Sequence, residues 1–458
     1  MKVVLIRGRW HSVWENLASG YLYSYTKDLT DDYHFFDGHF DTDEEIIESC
    51  IDADVVGFTG TTSQMKWNLD IANSIKRENP RVWIVMGGYG PSAEPSKWKG
   101  KGPIDCVVTG DGEESWRQIL QGRRDRLVYN SPIMYIDSIP FPDREFIEVE
   151  RCIQIAKREE GRRVTSVLGN RGCLRRCKFC LDGIPSKNLG LQGIYGVKLR
   201  ERSAANIVDE MEQVVRTHDI EFLKFADPEV NTRPGRTKEL AEELIKRNWD
   251  TPWGGNFLVN PFDEKDAELL YRAGCREVWF GLESGSQEIL KSIGKGTSVS
   301  TTRRAFKATK EAGIMRRSYV LFGTPLETLE TIRETEALID EVMPDTVSFS
   351  ILAPYPGTEY YDESKHANLP WDSIDEYSGS VTLCSLSAEQ LNIERQRLLK
   401  KYRGNLSQIM KKKIALGVIN TNEIPIFADD DFRTPWQGSG AGSNQNPLSS
   451  TKTDSEDK

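Results

Sequence analysis

Short apolar runs alternate with helix-spaced apolar stripes through the first third of the chain. Residues 2–6 read as a buried strand, and residues 16–29 carry a helical stripe through Leu17, Tyr21 and Tyr25. Residues 54–58 form a second apolar run. Residues 67–77 repeat Leu69, Ile71, Ala72 and Ile75 at helical spacing, and residues 82–86 and 106–108 are further short apolar strands. Strands alternating with helices over residues 1–135 predict a doubly wound parallel sheet. The predicted strands end in small residues: Thr59, Gly60, Thr61, Thr62, Ser63; then Gly87, Gly88, Tyr89, Gly90; then Thr109, Gly110, Asp111, Gly112, Glu113. In such sheets ligands lie beyond the carboxyl ends of the strands, where small residues let them approach backbone N–H groups. Ordinary tight turns have the same composition.

Prolines Pro140 and Pro142 punctuate a connector, residues 136–159, and mark a domain boundary. Residues 160–361 then give about six strands alternating with helices, among them 164–169, 220–226, 277–282, 317–322 and 346–352. Ser203 and Asp263 suit N-caps, and Gly274 and Gly313 suit helix ends. The pattern predicts a partial (β/α) barrel with active groups at the carboxyl ends of its strands. Residues 362–430 hold a helical stretch through Leu391, Leu398 and Leu399, expected to cap the barrel. Residues 438–458 are polar and Gly/Ser-rich, and are expected to be disordered.

Composition narrows the classes. The 458 residues are 38% hydrophobic and carry a net charge of −10, which gives no indication of a nucleic-acid-binding face. No apolar run reaches the roughly 18 residues of a membrane span, and the apolar start is too short for a signal peptide. Eight cysteines without a disulfide pattern fit a reducing cytoplasm. Arg162, Arg163, Arg171, Arg175 and Arg176 lie near one another in sequence and read as surface or as local charge tuning.

Three of the cysteines stand apart. Cys173, Cys177 and Cys180 form a CxxxCxxC run with Phe179 before the last thiol. A cubane cluster normally takes four cysteines; three would leave one iron with an open position. A zinc knuckle would want a second ligand pair, and His218 and Cys275 lack partner spacing.

The cysteine run, with FGLESGS at 280–286, LFGTPLET at 321–328 and PYPGTEYY at 354–361, resembles the radical SAM superfamily from about residue 164 to 361. DVVGFTGTTS, VMGGYGPSAEP and VVTGDGEESW, at 54–63, 85–95 and 107–116, resemble the cobalamin-binding domain that precedes many radical SAM cores. The resemblance implies a [4Fe-4S] cluster on Cys173, Cys177 and Cys180. S-adenosylmethionine would chelate the open iron and be cleaved reductively to a 5′-deoxyadenosyl radical. It places Phe179, Glu283, Ser284 and Gly323 near S-adenosylmethionine, with Asp227 and Asn260 as further candidates at strand ends. It gives Thr59, Thr61, Ser63, Gly87, Gly88, Gly110 and Gly112 to a cobalamin cradle. The DxHxxG loop that supplies an axial histidine elsewhere is absent, and His11 falls where such a ligand would sit. Methylthiotransferases would need further N-terminal cluster cysteines, and only Cys50 and Cys106 are there.

Three functions follow as expectations. The first is a cobalamin-dependent enzyme, with methyl transfer to an unactivated centre as its reaction. The second is a radical SAM enzyme of another type, such as a dehydratase, epimerase or cyclase, with a degenerate cobalamin domain. The third is a non-catalytic iron–sulfur protein. The expected partners are a small-molecule or natural-product substrate and an electron donor such as flavodoxin or ferredoxin.

Overall fold

The structure is a computed structural model, and it describes residues 1–10, 14–129, 132–182, 199–374, 379–402 and 412–417. Strands β1 (Val3–Arg7), β2 (Tyr33–Asp37), β3 (Val55–Thr59), β4 (Trp83–Gly87), β5 (Cys106–Thr109) and β6 (Leu127–Tyr129) form one sheet. Their order is β2-β1-β3-β4-β5-β6, and every pair is parallel. The central strands are buried on both faces: Val4, Ile6, Val56 and Ile84 pack into one apolar cluster, Val3, Leu5, Val55 and Val85 into another. That double burial explains their unbroken apolar runs. Strands β2 and β6 and the helices Asp43–Ser49 and Glu113–Leu120 complete the domain; none of the four was assigned from the sequence.

The connector is not an open linker. It holds a short turn at Ile136–Ser138 and most of the helix Val149–Glu160. After it come β7 (Val164–Val167), β8 (Asn170–Gly172), β9 (Leu199–Glu201), β10 (Phe222–Phe225), β11 (Trp253–Phe257), β12 (Cys275–Glu283), β13 (Met315–Phe322) and β14 (Thr346–Ile351). Six of these make a second parallel sheet in the order β14-β13-β12-β11-β10-β7, while β8 and β9 pair separately as an antiparallel ribbon. Leu223, Phe225, Val278, Phe280, Val320 and Phe322 pack with helix residues Met211, Leu240, Leu270 and Phe306. The alternating positions Lys224, Glu277, Trp279 and Arg317 therefore lie on the other face, since side chains alternate along a strand. Among the described residues no helix is long and apolar enough to cross a membrane. The expected 438–458 tail lies outside the described residues.

The barrel sheet is open, so its two edge strands need other partners for their backbone groups. At β7, Ser166 N–H and the Thr165 hydroxyl donate to Glu15 Oε1 at 2.6 and 2.8 Å, and Arg144 Nη2 donates to Ser166 O at 2.7 Å. At β14, Arg395 Nε from the helix Ala388–Lys401 donates to Phe349 O at 2.8 Å, so this helix supplies a donor to that edge. Arg144 also pairs with Glu210 at 2.7 Å, and both side chains are almost fully enclosed.

Arg144→Ala is expected to destabilise the protein by about 1–3 kcal/mol in urea unfolding, because it leaves Glu210 Oε1 and the Ser166 carbonyl without their donor while Arg202 still pairs with Glu210 Oε2. Arg303→Ala, which breaks an exposed pair with Glu341, should leave the midpoint where it is.

Candidate functional site

The cysteine loop leaves the β8–β9 ribbon at Gly172, whose φ of +85° lets the chain turn sharply into Cys173. Three backbone contacts fix its shape. Lys178 N–H donates to Ile293 O at 2.9 Å, Cys180 N–H to Cys177 O at 3.1 Å, and Glu359 N–H to Lys178 O at 3.0 Å. Gly294 permits the first of these: its φ is +72°, and a Cβ there would stand 2.8 Å from Arg176 O. Phe179 packs on Ile289, Leu290 and Ile293. Its neighbours at this point are therefore the side chains of the helix Gln287–Ser292 and the turn after it.

Cys173 and Cys177 are buried and Cys180 is partly so. Arg175 N–H points at Cys173 Sγ at 3.2 Å, and that thiol donates to Glu229 Oε1 at 2.8 Å. Burial pushes the Cys177 thiol up to about 11, and burial and then Glu229 raise Cys173. Thiols held this way become thiolates when a metal supplies the positive charge. Among the described residues no three His, Cys, Asp or Glu side chains converge on a single-ion site. The donor set nonetheless fits a cubane, which takes one thiolate per iron and so needs sulfurs spread over one loop.

The other expected residues fall in three places. Beside the cysteine loop, Glu283 (φ +59°) is ion-paired to Lys295, whose Nζ also donates to Gly281 O at 2.9 Å. Asn260 lies there too, and its carbonyl accepts from Arg175. Turned elsewhere are Ser284 and Gly323. Ser284 Oγ lies 3.1 Å from Thr335 Oγ1 on an outer helix, and a Cβ on Gly323 would meet Leu391 at 3.2 Å. The third place is a cavity of about 710 Å³ between the two domains, lined by Thr59, Thr61, Gly87, Gly88, Gly110, Gly112 and Asp227. Gly88 has φ +96° with Gly60 O 2.7 Å from where its Cβ would be, so only glycine makes that wall. Ser63 is not part of the cavity lining; its hydroxyl donates to Ile374 O at 3.2 Å. His11 lies outside the described residues.

The opposite wall of the cavity is Leu168, Asn170, Arg171 and Gly172, the stretch that runs into Cys173. Asp227 holds this stretch by accepting Gly169 N–H at 2.9 Å and Asn170 N–H at 2.6 Å. Burial pushes its carboxyl up to about 7 against those two amides, which favour the anion. The helix Leu17–Thr26 closes a third side with Leu17, Ala18 and Tyr21.

A buried ionic lock joins the two walls. Arg171 and Arg200 are paired residues on the β8–β9 ribbon. Arg171 grips Glu113 with both terminal nitrogens, at 2.6 and 3.1 Å, and lies 3.4 Å from Asp111; Arg200 also pairs with Asp111. Burial alone would raise Glu113, but Arg171 outweighs it and holds the carboxyl below its ordinary value. A second ionic group lies on the inner face of the barrel. Lys224 Nζ donates to Glu160 at 2.6 Å and sits 3.8 Å from the Trp14 ring centroid. Arg162 Nη2 is 3.1 Å from both Glu160 and Glu277. Burial brings Lys224 down to about 7 despite Glu160. For Glu277, burial acts upward but Arg162, Lys413 and Arg317 bring it to about 2. The surface reading of Arg162 and Arg171 is thus corrected, since both are internal and ion-paired. Sequence reasoning also missed Glu15, Ala18 and Arg200. Of these only Ala18 carried a signal, as the small residue beside Leu17 on a predicted helix.

Residues 3–120 match the B12 binding domain family and residues 167–339 match the radical SAM superfamily. The chain therefore carries a radical SAM domain behind a separate B12-binding domain. It is 26% identical over 374 residues to an uncharacterized methyltransferase of Pyrococcus horikoshii, covering 76% of this chain and 78% of that one. It is 29% identical over 386 residues to the anaerobic magnesium-protoporphyrin IX monomethyl ester cyclase of Rubrivivax gelatinosus, covering 78% and 67%. Its fold is similar to that of the radical S-adenosylmethionine methyltransferase TsrM from Kitasatospora setae, solved with cobalamin and a [4Fe-4S] cluster. The TM-score is 0.63 at 21% identity, over 79% of this chain and 77% of that one.

Because the folded Glu113 carboxyl is held below its unfolded value, its stabilisation is complete above the ordinary carboxylate range and is lost as pH falls through the folded value. Glu113→Gln is therefore expected to flatten the acid limb of stability below about pH 4, read as the denaturation midpoint against pH.

Proposed function

We propose that this chain, in which a radical SAM domain follows a B12-binding domain, is a cobalamin-dependent radical SAM enzyme that methylates an unactivated centre of a small-molecule substrate. The observation that carries the reading is the shared cavity. One space is bounded by the strand-end turns of the first sheet and by the segment that leads directly into Cys173. A volume of about 710 Å³ lies within the usual range for cofactor and ligand sites.

Cys173, Cys177 and Cys180 would hold the [4Fe-4S] cluster, and the turns at Thr59–Thr61, Gly87–Gly88 and Gly110–Gly112 would hold the corrinoid. Bound there, the cluster supplies the electron for reductive cleavage of S-adenosylmethionine, and cobalamin carries the methyl group. The chain supplies orientation and enclosure. Arg175 N–H steadies the Cys173 sulfur, and Asp227 fixes the backbone at Gly169 and Asn170. The Glu283–Lys295 pair keeps a buried carboxylate and ammonium beside the loop, as candidates to meet the polar end of S-adenosylmethionine. All eight cysteines are free thiols, which suits the reducing cytoplasm that such a cluster needs.

A second reading is a ring closure instead of methyl transfer, favoured by the likeness to the cyclase. The products separate the two. Methyl transfer consumes a second S-adenosylmethionine to recharge the carrier, so S-adenosylhomocysteine should accumulate with 5′-deoxyadenosine. Ring closure gives 5′-deoxyadenosine without it.

Anaerobically reconstituted protein with dithionite is expected to bind about one corrinoid, seen by its visible spectrum, and to form 5′-deoxyadenosine. Cluster iron without either result would sink the proposal. Ala18→Trp, which fills the cavity from the Leu17–Thr26 helix, should weaken corrinoid binding by at least about tenfold with iron content unchanged. Cys177→Ala should do the reverse, losing iron and keeping the corrinoid.

A further inference from the structure

We infer that the inner face of the barrel seats an anionic end of the substrate, a carboxylate or a phosphoryl group, against Arg317 and Lys224. The inference rests on the proposed function for the ligand being a small-molecule substrate. Accessibility along the strands shows that this face borders a space. On β13, Arg317 and Tyr319 are partly exposed, while the outward-facing Ser318 and Val320 are sealed. On β14, Ser350 is partly exposed between the sealed Phe349 and Ile351, and on β12, Gly281 is so between Phe280 and Leu282. On β11, Asn256 is partly exposed between the buried Gly255 and Phe257. Side chains alternate along a strand, so four adjoining strands open on the same side. Asn256 also lines the cavity of about 710 Å³ between the domains, so the two spaces meet there.

Deeper in the barrel the lining turns cationic. Lys224 is level with Gly254, two residues before Asn256. Among the described residues, Lys224, Arg162, Arg317 and Lys413 share two carboxylates there. Glu160 takes Lys224 at 2.6 Å and Arg162 at 3.1 Å; Glu277 takes Arg162 at 3.1 Å and Lys413 at 3.9 Å, and both carboxylates act on Arg317. Arg162 is 1% exposed, and its Nη1 has no hydrogen-bond partner. Excess charge of one sign is costly in an interior, and an entering anion offsets it. The whole chain carries −10, so this surplus of positive charge is local. Arg317 is the cation that the space reaches. Its Nε donates to Thr346 Oγ1 at 3.3 Å, it is hydrogen-bonded to Tyr319, and its guanidinium lies 5.9 Å from the Trp279 ring centroid. A planar guanidinium held in this way suits a carboxylate or phosphoryl group. Lys224 lies 3.8 Å from the Trp14 ring centroid and 6.0 Å from that of Trp279. The anionic group would therefore arrive on a body with a flat apolar face.

The test uses full-length reconstituted protein and three probes of similar shape: benzoate, phenyl phosphate and the neutral benzamide. Each is titrated by anaerobic calorimetry at fixed ionic strength. At least one anion should bind at least about tenfold more tightly than benzamide, and which one does so tells carboxylate from phosphoryl recognition. Arg317→Gln should remove that preference and Arg317→Lys should restore part of it, with iron and corrinoid content unchanged. Ser350→Phe, which fills the space and leaves every cation in place, should weaken binding of the preferred anion by at least about tenfold. Lys99→Gln, at an exposed lysine of the first domain, should change nothing. No preference for either anion over benzamide would overturn the inference. So would a preference that survives both Arg317→Gln and Ser350→Phe, or one that Lys99→Gln removes equally. If the anions bind as expected but dithionite gives no 5′-deoxyadenosine, the proposed function fails and the anion seat stands. If corrinoid binds and 5′-deoxyadenosine forms without any preference for an anion, the seat fails and the proposed function stands.

Discussion

Arg171 stands two residues before Cys173, and its two terminal nitrogens lie 2.6 and 3.1 Å from the carboxylate oxygens of Glu113 in the other domain. The geometry is the planar fork that guanidinium and carboxylate form best. Arg200 and Asp111 extend it to four alternating charges, all nearly enclosed. Such a network adds little net stability over an apolar contact of the same size, because desolvation opposes the attraction. What it adds is position. Two apolar surfaces can slide past each other, whereas a two-toothed fork cannot move by an ångström without stranding a charge. The Cys173 sulfur is thereby placed relative to the turns at Gly110 and Gly112, which wall the same cavity.

The same device recurs around the domain boundary. Glu15 reaches from the first domain to the free edge of β7, Ser63 Oγ donates to Ile374 O, Tyr361 OH donates to Glu94 at 3.1 Å, and Tyr89 OH donates to Asp182 at 2.7 Å. Domains in one chain usually meet through modest polar interfaces and move. Here the directed contacts surround the cavity, so opening it means breaking several of them together. A cofactor inserted between these walls meets a shape already set, which lowers the ordering cost of binding.

How much of this was legible follows from where each partner lies in sequence. The cysteine loop and the three glycine turns were readable because their information is local: spacing on a loop, small residues after an apolar run. Strand β11 was not assigned, because Gly254 and Gly255 interrupt its apolar run. They are strand residues made small by crowding, since a Cβ on Gly254 would stand 2.6 Å from Glu277 O and one on Gly255 2.9 Å from Phe225. Strand β2, Tyr33–Asp37, is an edge strand with an exposed His34 and lacks the apolar run of its neighbours. Arg162 and Arg171 were read as surface because arginine usually is. Their partners Glu277 and Glu113 lie 115 and 58 residues away, and no local pattern announces such a pairing. Ser63 misled in the opposite way, as a small polar residue at a strand end whose hydroxyl serves the C-terminal segment.

The inner face of the barrel shows what the first domain contributes apart from any cofactor. Lys224 is buried at a level that would ordinarily neutralise it, and Glu160 and the face of Trp14 are the groups that keep its charge tolerable. Trp14 belongs to the loop after β1, one residue before the Glu15 that caps β7. A barrel without that loop would present an unsatisfied strand edge and a cation without its aromatic cover, both on the side where chemistry must be shielded from water. The barrel thus needs the first domain as a wall even before it needs what that domain carries. For that reason the mere presence of the fold does not discriminate between methyl transfer and a reaction that has dispensed with the corrinoid. The discriminating surface is the cavity itself, where Ala18, Gly87, Gly88 and Gly112 keep space open. A domain retained only as a wall would gain apolar burial by filling that space, at about 25 cal/mol per Å², whereas these small residues keep a cavity of about 710 Å³ open.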